Sequence, residues 1–202
     1  MKIRKPSKPD ELFKDSKRSD DRLFSYFKVF MDDKGVASVM PSSKYLVKRV
    51  LKAMDVRGAK VVVEYGAANG VITTGILQNL PQDAKLVAIE LNDKLFEGLK
   101  KIEDKRLIPV NGDVREVAAI CRRHGISQAD VIVSGIPFAF LSSRGRHELL
   151  EATRGLLKPE GRFVAYQVTT HLIGLLDEYF RKVKTQFEIC NIPPHFVFTA
   201  FK

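Results

Sequence analysis

The stretch KVVVEYGAANG, Lys60 to Gly70, decides the fold. Val61, Val62 and Val63 form a β-branched, fully apolar run, the composition of a strand buried on both faces of a parallel sheet. Glu64 places a carboxylate at the end of that strand. Gly66 and Gly70 bracket a turn of small residues. An apolar-periodic segment follows, with Val71, Ile72, Ile76, Leu77 and Leu80. Strand, small-residue turn and helix make the unit that binds an adenosine-bearing cofactor at the carboxyl end of a sheet. The dinucleotide fingerprint needs glycine at its first, third and sixth positions. Here those positions hold Gly66, Ala68 and Val71, so that fingerprint fails. No G-x-x-x-x-G-K-[ST] occurs either, which excludes a P-loop.

What fits is acidic-x-Gly-x-x-x-Gly, Glu64 to Gly70. This resembles the first motif of the class I S-adenosylmethionine (SAM) methyltransferases. SAM has no pyrophosphate, but it carries a cationic sulfonium and an amino-acid tail. Small residues let the backbone approach that tail, and a carboxylate can accept from its ammonium. The same residues also read as a tight βα turn that holds no ligand. Ala68 stands where that family most often has glycine.

The chain has 202 residues, 45% of them hydrophobic, enough for one domain with a substantial core. Cys121 and Cys190 lie far apart with no C-x-x-C, and His124, His147, His171 and His195 are scattered. Neither a metal site nor a disulfide framework is expected, which suits a reducing cytoplasm. Met1 to Asp10 is basic with no apolar core behind it, unlike a secretory signal. No apolar run is long enough to span a bilayer. The net charge is +10 and unevenly placed. Residues 1–60 hold 16 basic and 8 acidic residues, and the remainder holds 18 and 16. Such asymmetry points to an anionic partner, either a membrane or nucleic acid, with plain solubility as the bland reading.

From Asp10 or Ser19 to Asp32 a helix is expected, with Leu23, Phe24, Phe27, Phe30 and Met31 on one face and Arg18, Arg22 and Lys28 flanking it. That face suits either the domain's own core or a membrane surface. Gly35 and Pro41 break this helix, and Ser42 is read as the N-cap of the next, Ser43 to Met54. Lys85 to Glu90 reads as the second strand and ends in Glu90, 20 residues past Gly70, the spacing of an acid that grips ribose hydroxyls. Asn92 to Ile102 is a helix and Arg106 to Val110 a strand. Asn111-Gly112-Asp113 follows, with Asp113 placed to cap the helix Val114 to His124. Ala129 to Val133 is the fourth strand and runs into Ser134-Gly135-Ile136-Pro137-Phe138. Ser142 to Leu157 is a helix, Lys158 to Gly161 a turn, Arg162 to Thr169 a strand and Leu172 to Val183 the last helix. Phe187 to Ile192 and His195 to Phe201 read as a closing antiparallel pair. The whole predicts an α/β, Rossmann-like fold with a seven-stranded, mostly parallel sheet and amino-terminal helices. We divide it into a basic helical extension, 1–58, and a cofactor-binding domain, 59–202, with no internal repeat.

Four segments carry a closer resemblance: Val36-Ala-Ser-Val-Met-Pro-Ser-Ser43, Val62 to Gly70, Val133-Ser-Gly-Ile-Pro137 and Phe163-Val-Ala-Tyr-Gln167. Together they resemble the soluble bacterial phospholipid N-methyltransferases, which are similar in turn to the rRNA adenine dimethyltransferases. The resemblance implies SAM as cofactor, held by Met40, Ser42, Glu64, Tyr65, Gly66, Ala67, Ala68, Asn69, Gly70, Glu90, Leu91, Gly112, Asp113, Val114, Ser134 and Gly135. Asp113 would accept from the adenine amino group. It implies catalytic positions at Ser134, Ile136, Pro137, Tyr45 and Tyr166, where a polar side chain and backbone carbonyls accept from the amine. The spacing Ser134 to Pro137 is one residue longer than in amino-methylating relatives. The implied reaction is in-line transfer of a methyl group to the nitrogen of a phosphatidylethanolamine-type head group. That nitrogen must first lose a proton, with the carbonyls of Ser134 to Ile136, Tyr166, Tyr45 or water as alternative acceptors. No metal is implied. The family's basic amphipathic amino terminus would meet an anionic membrane, giving a cytoplasmic, peripherally associated monomer. An RNA methyltransferase and a non-catalytic SAM-binding protein are the competing readings.

Overall fold

The computed structural model describes residues 42–202. Met40 and the helix expected between residues 10 and 32 lie outside the described residues. Seven strands form one sheet: β1 (Val61–Tyr65), β2 (Lys85–Glu90), β3 (Leu107–Asn111), β4 (Ala129–Ser134), β5 (Leu157–Gln167), β6 (Lys182–Glu188) and β7 (His195–Phe201). Their order is β3-β2-β1-β4-β5-β7-β6. β1 to β5 pair in parallel, and β7 joins β5 and β6 antiparallel, which is the expected architecture. From β1 the chain builds outward through β2 and β3, then returns to the other side of β1 with β4. The strand order therefore reverses between β1 and β4, the position at which open α/β sheets form their ligand crevice outside the carboxyl ends of the strands.

The valines explain why β1 is central. Side chains alternate across a strand, so Val62 and Glu64 face one layer while Val63 and Tyr65 face the other. On the Val62 face lie α1 (Lys44–Met54), α2 (Val71–Asn79) and α3 (Asp93–Leu99), through Leu46, Val50, Met54, Ile72, Ile76 and Leu99. On the Val63 face lie α4 (Val117–Arg123), α5 (Ser143–Leu156) and α6 (Leu172–Tyr179), through Val117, Ile120, Leu149, Leu150 and Leu176. Burying each such aliphatic side chain contributes roughly 1.5–3 kcal/mol. α1, assigned from sequence to the amino-terminal extension, is thus a part of this core, packed with Val62, Val164 and Val197.

Several boundaries differ from the sequence reading. The cap of α1 is Ser43 rather than Ser42, because the Ser43 hydroxyl accepts from Leu46 N. α3 is shorter than expected, with Asn92 outside it as a cap that accepts from Lys94 N and Leu95 N. Asp113 caps as expected, accepting from Arg115 N, but the segment opens as a 3₁₀ turn before α4. The expected turn at Lys158 to Gly161 sits inside β5, where the pairing jumps from Ala129↔Leu157 to Val131↔Arg162. α6 stops at Tyr179, and β6 occupies Lys182–Glu188 rather than Phe187 to Ile192. The register explains this: β7 pairs residue for residue from Phe201↔Lys182 to His195↔Glu188. β6 is an edge strand, where lysine, threonine and glutamine are tolerated, so its polar composition hid it.

Residues 189–194 are consequently a turn, and Asn191 anchors it. The Asn191 Oδ1 accepts from Ser43 N at 2.8 Å, and its Nδ2 donates to the Pro193 carbonyl at 2.9 Å. Asn191→Ala should cost about 1–3 kcal/mol, because a backbone donor and a carbonyl lose their partner. Denaturant unfolding checks this; a loss below a few tenths would show that α1 and the turn are not joined there.

Candidate active site

Glu64 and Glu90 close the carboxyl ends of β1 and β2, and both are buried. The Thr73 hydroxyl, from the first turn of α2, donates to Glu64 Oε2 at 2.7 Å. Burial pushes the Glu64 carboxyl up to about 7; the Thr73 bond opposes that shift, and the Glu90 charge adds to it. Glu90 accepts from Ala68 N at 2.7 Å and from Asn92 N at 2.8 Å. Burial raises its pKa too, opposed by those backbone donors. A carboxylate oxygen has more than one lone pair, so each group keeps capacity for a further donor.

The turn between β1 and α2 is built to bring backbone close. Gly66 and Gly70 are left-handed, with φ of 72° and 81°. A Cβ on Gly66 would lie 2.8 Å from Ile136 Cγ2. Ala68 adopts φ 48°, a conformation strained for a side-chain-bearing residue, which explains the usual preference for glycine there. Its amide points at Glu90 as a result. Ala67 is buried, Asn69 exposed.

Across the crevice, Gly135 N donates to the Tyr65 carbonyl at 3.0 Å. The Gln167 side chain clamps the loop that follows, donating to the Ile136 carbonyl at 2.8 Å and accepting from Phe138 N at 3.2 Å. Arg146 Nε holds the Phe138 and Leu141 carbonyls. Tyr166 shares the Glu64 face of the sheet, and burial with the charges of Glu64 and Glu90 pushes its phenol up. A Cβ on Gly135 would lie 2.2 Å from the Tyr166 hydroxyl, so the tyrosine occupies the space a side chain at 135 would take.

The structure therefore brings together Glu64, Gly66, Ala68, Glu90, Gly135, Ile136 and Tyr166. It places two other sequence candidates elsewhere. Tyr65 points into the opposite layer, where its hydroxyl lies 3.2 Å from Thr153 Oγ1. Ser134 pairs with Tyr65 and Ala165, both of that same layer, and its hydroxyl is fully buried with no hydrogen-bond partner among the described residues. Period-two alternation is the reason: Glu64 faces the crevice, so Tyr65 and its neighbour Ser134 cannot. Gly112 N donates to the Glu90 carbonyl, and the Asp113 carboxylate is bound by Arg115 through Nε at 2.8 Å. Leu91 and Val114 pack on the α4 layer. Ser42 is half-buried beside α1, Pro137 opens the turn at Phe138, and Tyr45 is half-exposed under Lys44 Nζ.

Three contributors escaped the sequence reading. Thr73 belongs to none of the motifs read from the sequence. Gln167 sits in the quoted Phe163 to Gln167 segment without an assigned role. His195 had no signal at all: its ring centroid is 6.3 Å from that of Tyr166. The His195 Nδ1 lies 2.8 Å from the Pro193 carbonyl and 3.1 Å from the Asn191 amide nitrogen. Burial lowers its pKa, which favours the neutral imidazole.

Gly135→Ala should destabilise the fold by about 1–3 kcal/mol through overpacking against Tyr166. Adding Tyr166→Phe should restore only part, because Cζ lies 2.7 Å from the new carbon. Thermal unfolding of the two variants measures this; an unperturbed single variant would contradict the contact.

Comparison with known proteins agrees with this fold. No family model matches the chain. The ornithine lipid N-methyltransferase of Singulisphaera acidiphila is 30% identical over 173 residues, covering 83% of this chain and 88% of that protein. Among solved structures, the 1,6-didemethyltoxoflavin-N1-methyltransferase of Burkholderia thailandensis, with bound S-adenosylhomocysteine, superposes with a TM-score of 0.66 at 17% identity. That match covers 99% of this chain and 93% of the other. The precorrin-6y C5,15-methyltransferase of Geobacter metallireducens superposes at 0.63 with 17% identity, covering 82% and 91%. With its glycine-bracketed turn and two acid-ended strands, the chain belongs to the class I SAM-dependent methyltransferases, in the family of the ornithine lipid N-methyltransferase.

Proposed function

We propose that this methyltransferase acts on the amine of a membrane lipid head group, of the phosphatidylethanolamine or amino-acid lipid type, at a membrane surface. The observation that carries this reading is the similarity to a lipid N-methyltransferase across most of both chains. The crevice fits the cofactor on its own evidence. Buried carboxylates at two adjacent strand ends suit a cation and a diol, and the left-handed Gly66 lets the turn pack closely on Ile136 beside them. In this reading Glu64 faces the ammonium of the cofactor's tail, Glu90 accepts from the ribose hydroxyls and Asp113 lies toward the adenine. When bound, SAM supplies an electrophilic methyl group on sulfur.

The remaining work falls to the chain. The Gln167 clamp fixes the Ile136 to Phe138 backbone, which sets the wall against which the amine is oriented. Tyr166 fills the gap at Gly135 and presents its hydroxyl toward the same space. An ammonium has no lone pair, so its proton must go first. In this reading the His195 imidazole, whose ring centroid lies 6.3 Å from that of Tyr166, is the acceptor.

Radiolabelled methyl from SAM, offered to total lipid and to RNA side by side, tests the reading. Label should enter an amine lipid and not RNA. Glu90→Ala should weaken SAM binding, since each lost hydrogen bond to a charged acceptor is worth roughly 1.5–3 kcal/mol. Label in RNA alone would replace the lipid reading with the RNA one. Unchanged SAM affinity in Glu90→Ala would remove Glu90 from the cofactor site.

A further inference from the structure

The turn between β6 and β7 lies beyond the carboxyl end of β5, because Phe196 pairs with Gln167 there. It is therefore on the same rim as the crevice. Ile189 and Ile192 stand on it at 71% and 69% exposure. Tyr45 on α1, Val168 just past β5 and Phe187 near the end of β6 are each about half-exposed. Two isoleucines this exposed on one six-residue turn are the apolar feature of this rim. The turn is also held in place. Asn191 ties it to the start of α1, Arg49 pairs with Glu188 at 2.7 Å, and Glu188 accepts from Cys190 N. A fixed turn loses little conformational freedom on docking. Beside it, α1 carries Lys44, Lys48, Arg49 and Lys52 with no acidic residue, and the three lysines are exposed.

We propose that this rim docks on anionic bilayers, with Ile189, Ile192 and Tyr45 entering the apolar edge while Lys44 and Lys48 face acidic head groups. The inference rests on the lipid reading above and adds the surface that brings the crevice to its substrate. Charge complementarity selects the occupant: basic residues around an aliphatic tip suit an interface whose charges lie just above an apolar layer. RNA would use the lysines but leave the isoleucines wet. The apolar term does not weaken with salt, whereas the lysine term does within a Debye length.

The chain has no tryptophan, so one introduced tryptophan reports its own position. Ile192→Trp in the full chain should shift its emission to the blue on phosphatidylcholine vesicles containing phosphatidylglycerol, and brominated lipid should quench it. Glu160→Trp, on the exposed amino-terminal side of β5, should do neither. Ile189→Ser/Ile192→Ser should sediment with those vesicles about 10- to 100-fold more weakly, yet still methylate detergent-dispersed lipid. Emission from Ile192→Trp that vesicles leave unmoved overturns the proposal. So does emission from that variant that is already blue in the free protein, which would mean that residues 1–41 or a second copy cover the rim. Label entering dispersed lipid while the emission stays unmoved sinks the docking surface alone. A vesicle-dependent shift without any labelled lipid supports the surface and sinks the lipid reading.

Discussion

Two carboxylates buried at neighbouring strand ends set the constraint on which the rest of the site depends. Glu64 and Glu90 cannot both carry charge cheaply in the free protein, since burial and mutual repulsion act on the same pair. The fold partly offsets this. Thr73 donates to one, and the amides of Ala68 and Asn92 donate to the other. Those donors tie the first turn of α2 to the end of β1, and the turn after β1 to the end of β2. A cation arriving in the crevice removes the conflict that the fold leaves.

The opposite wall follows a different rule, that of filled space. Gly135 has no side chain, and the Tyr166 hydroxyl sits where one would be. Gln167, the next residue on β5, reaches to the other layer and grips the backbone of the same loop. One strand end thus supplies both the polar lining and the brace, because adjacent residues on a strand face opposite ways. His195 enters from β7, whose first residue lies at the same rim only because β7 runs antiparallel to β5.

The fold was legible because β1 announces itself: three valines, an acid and a glycine-bracketed turn admit few alternatives. The capping role of Asp113 was legible from its chemistry, and the place of Glu90 at the end of β2 from the strand pattern. The edge strand β6 was not, since lysine, threonine and glutamine carry no apolar period, and only the register of β7 reveals it. Nor was the orientation of Tyr65 and Ser134, for a motif assigns residues to a loop without counting strand alternation. Thr73, Gln167 and His195 belong to the site through contacts between distant segments, which no local pattern encodes.

The most direct test of the paired-carboxylate account is the proton balance of SAM binding. In the free protein Glu64 is protonated below about 7. An ammonium beside it favours the ionised form, so the bound state must have the lower pKa. Binding should then release a proton between the ordinary carboxylate value of 4.5 and about 7, and affinity should rise with pH across that window and level off above it. Calorimetric titration in buffers of different ionisation heat measures the proton count. The account predicts release by the wild type and its loss in Glu64→Gln. A flat affinity with no proton released by the wild type would contradict it.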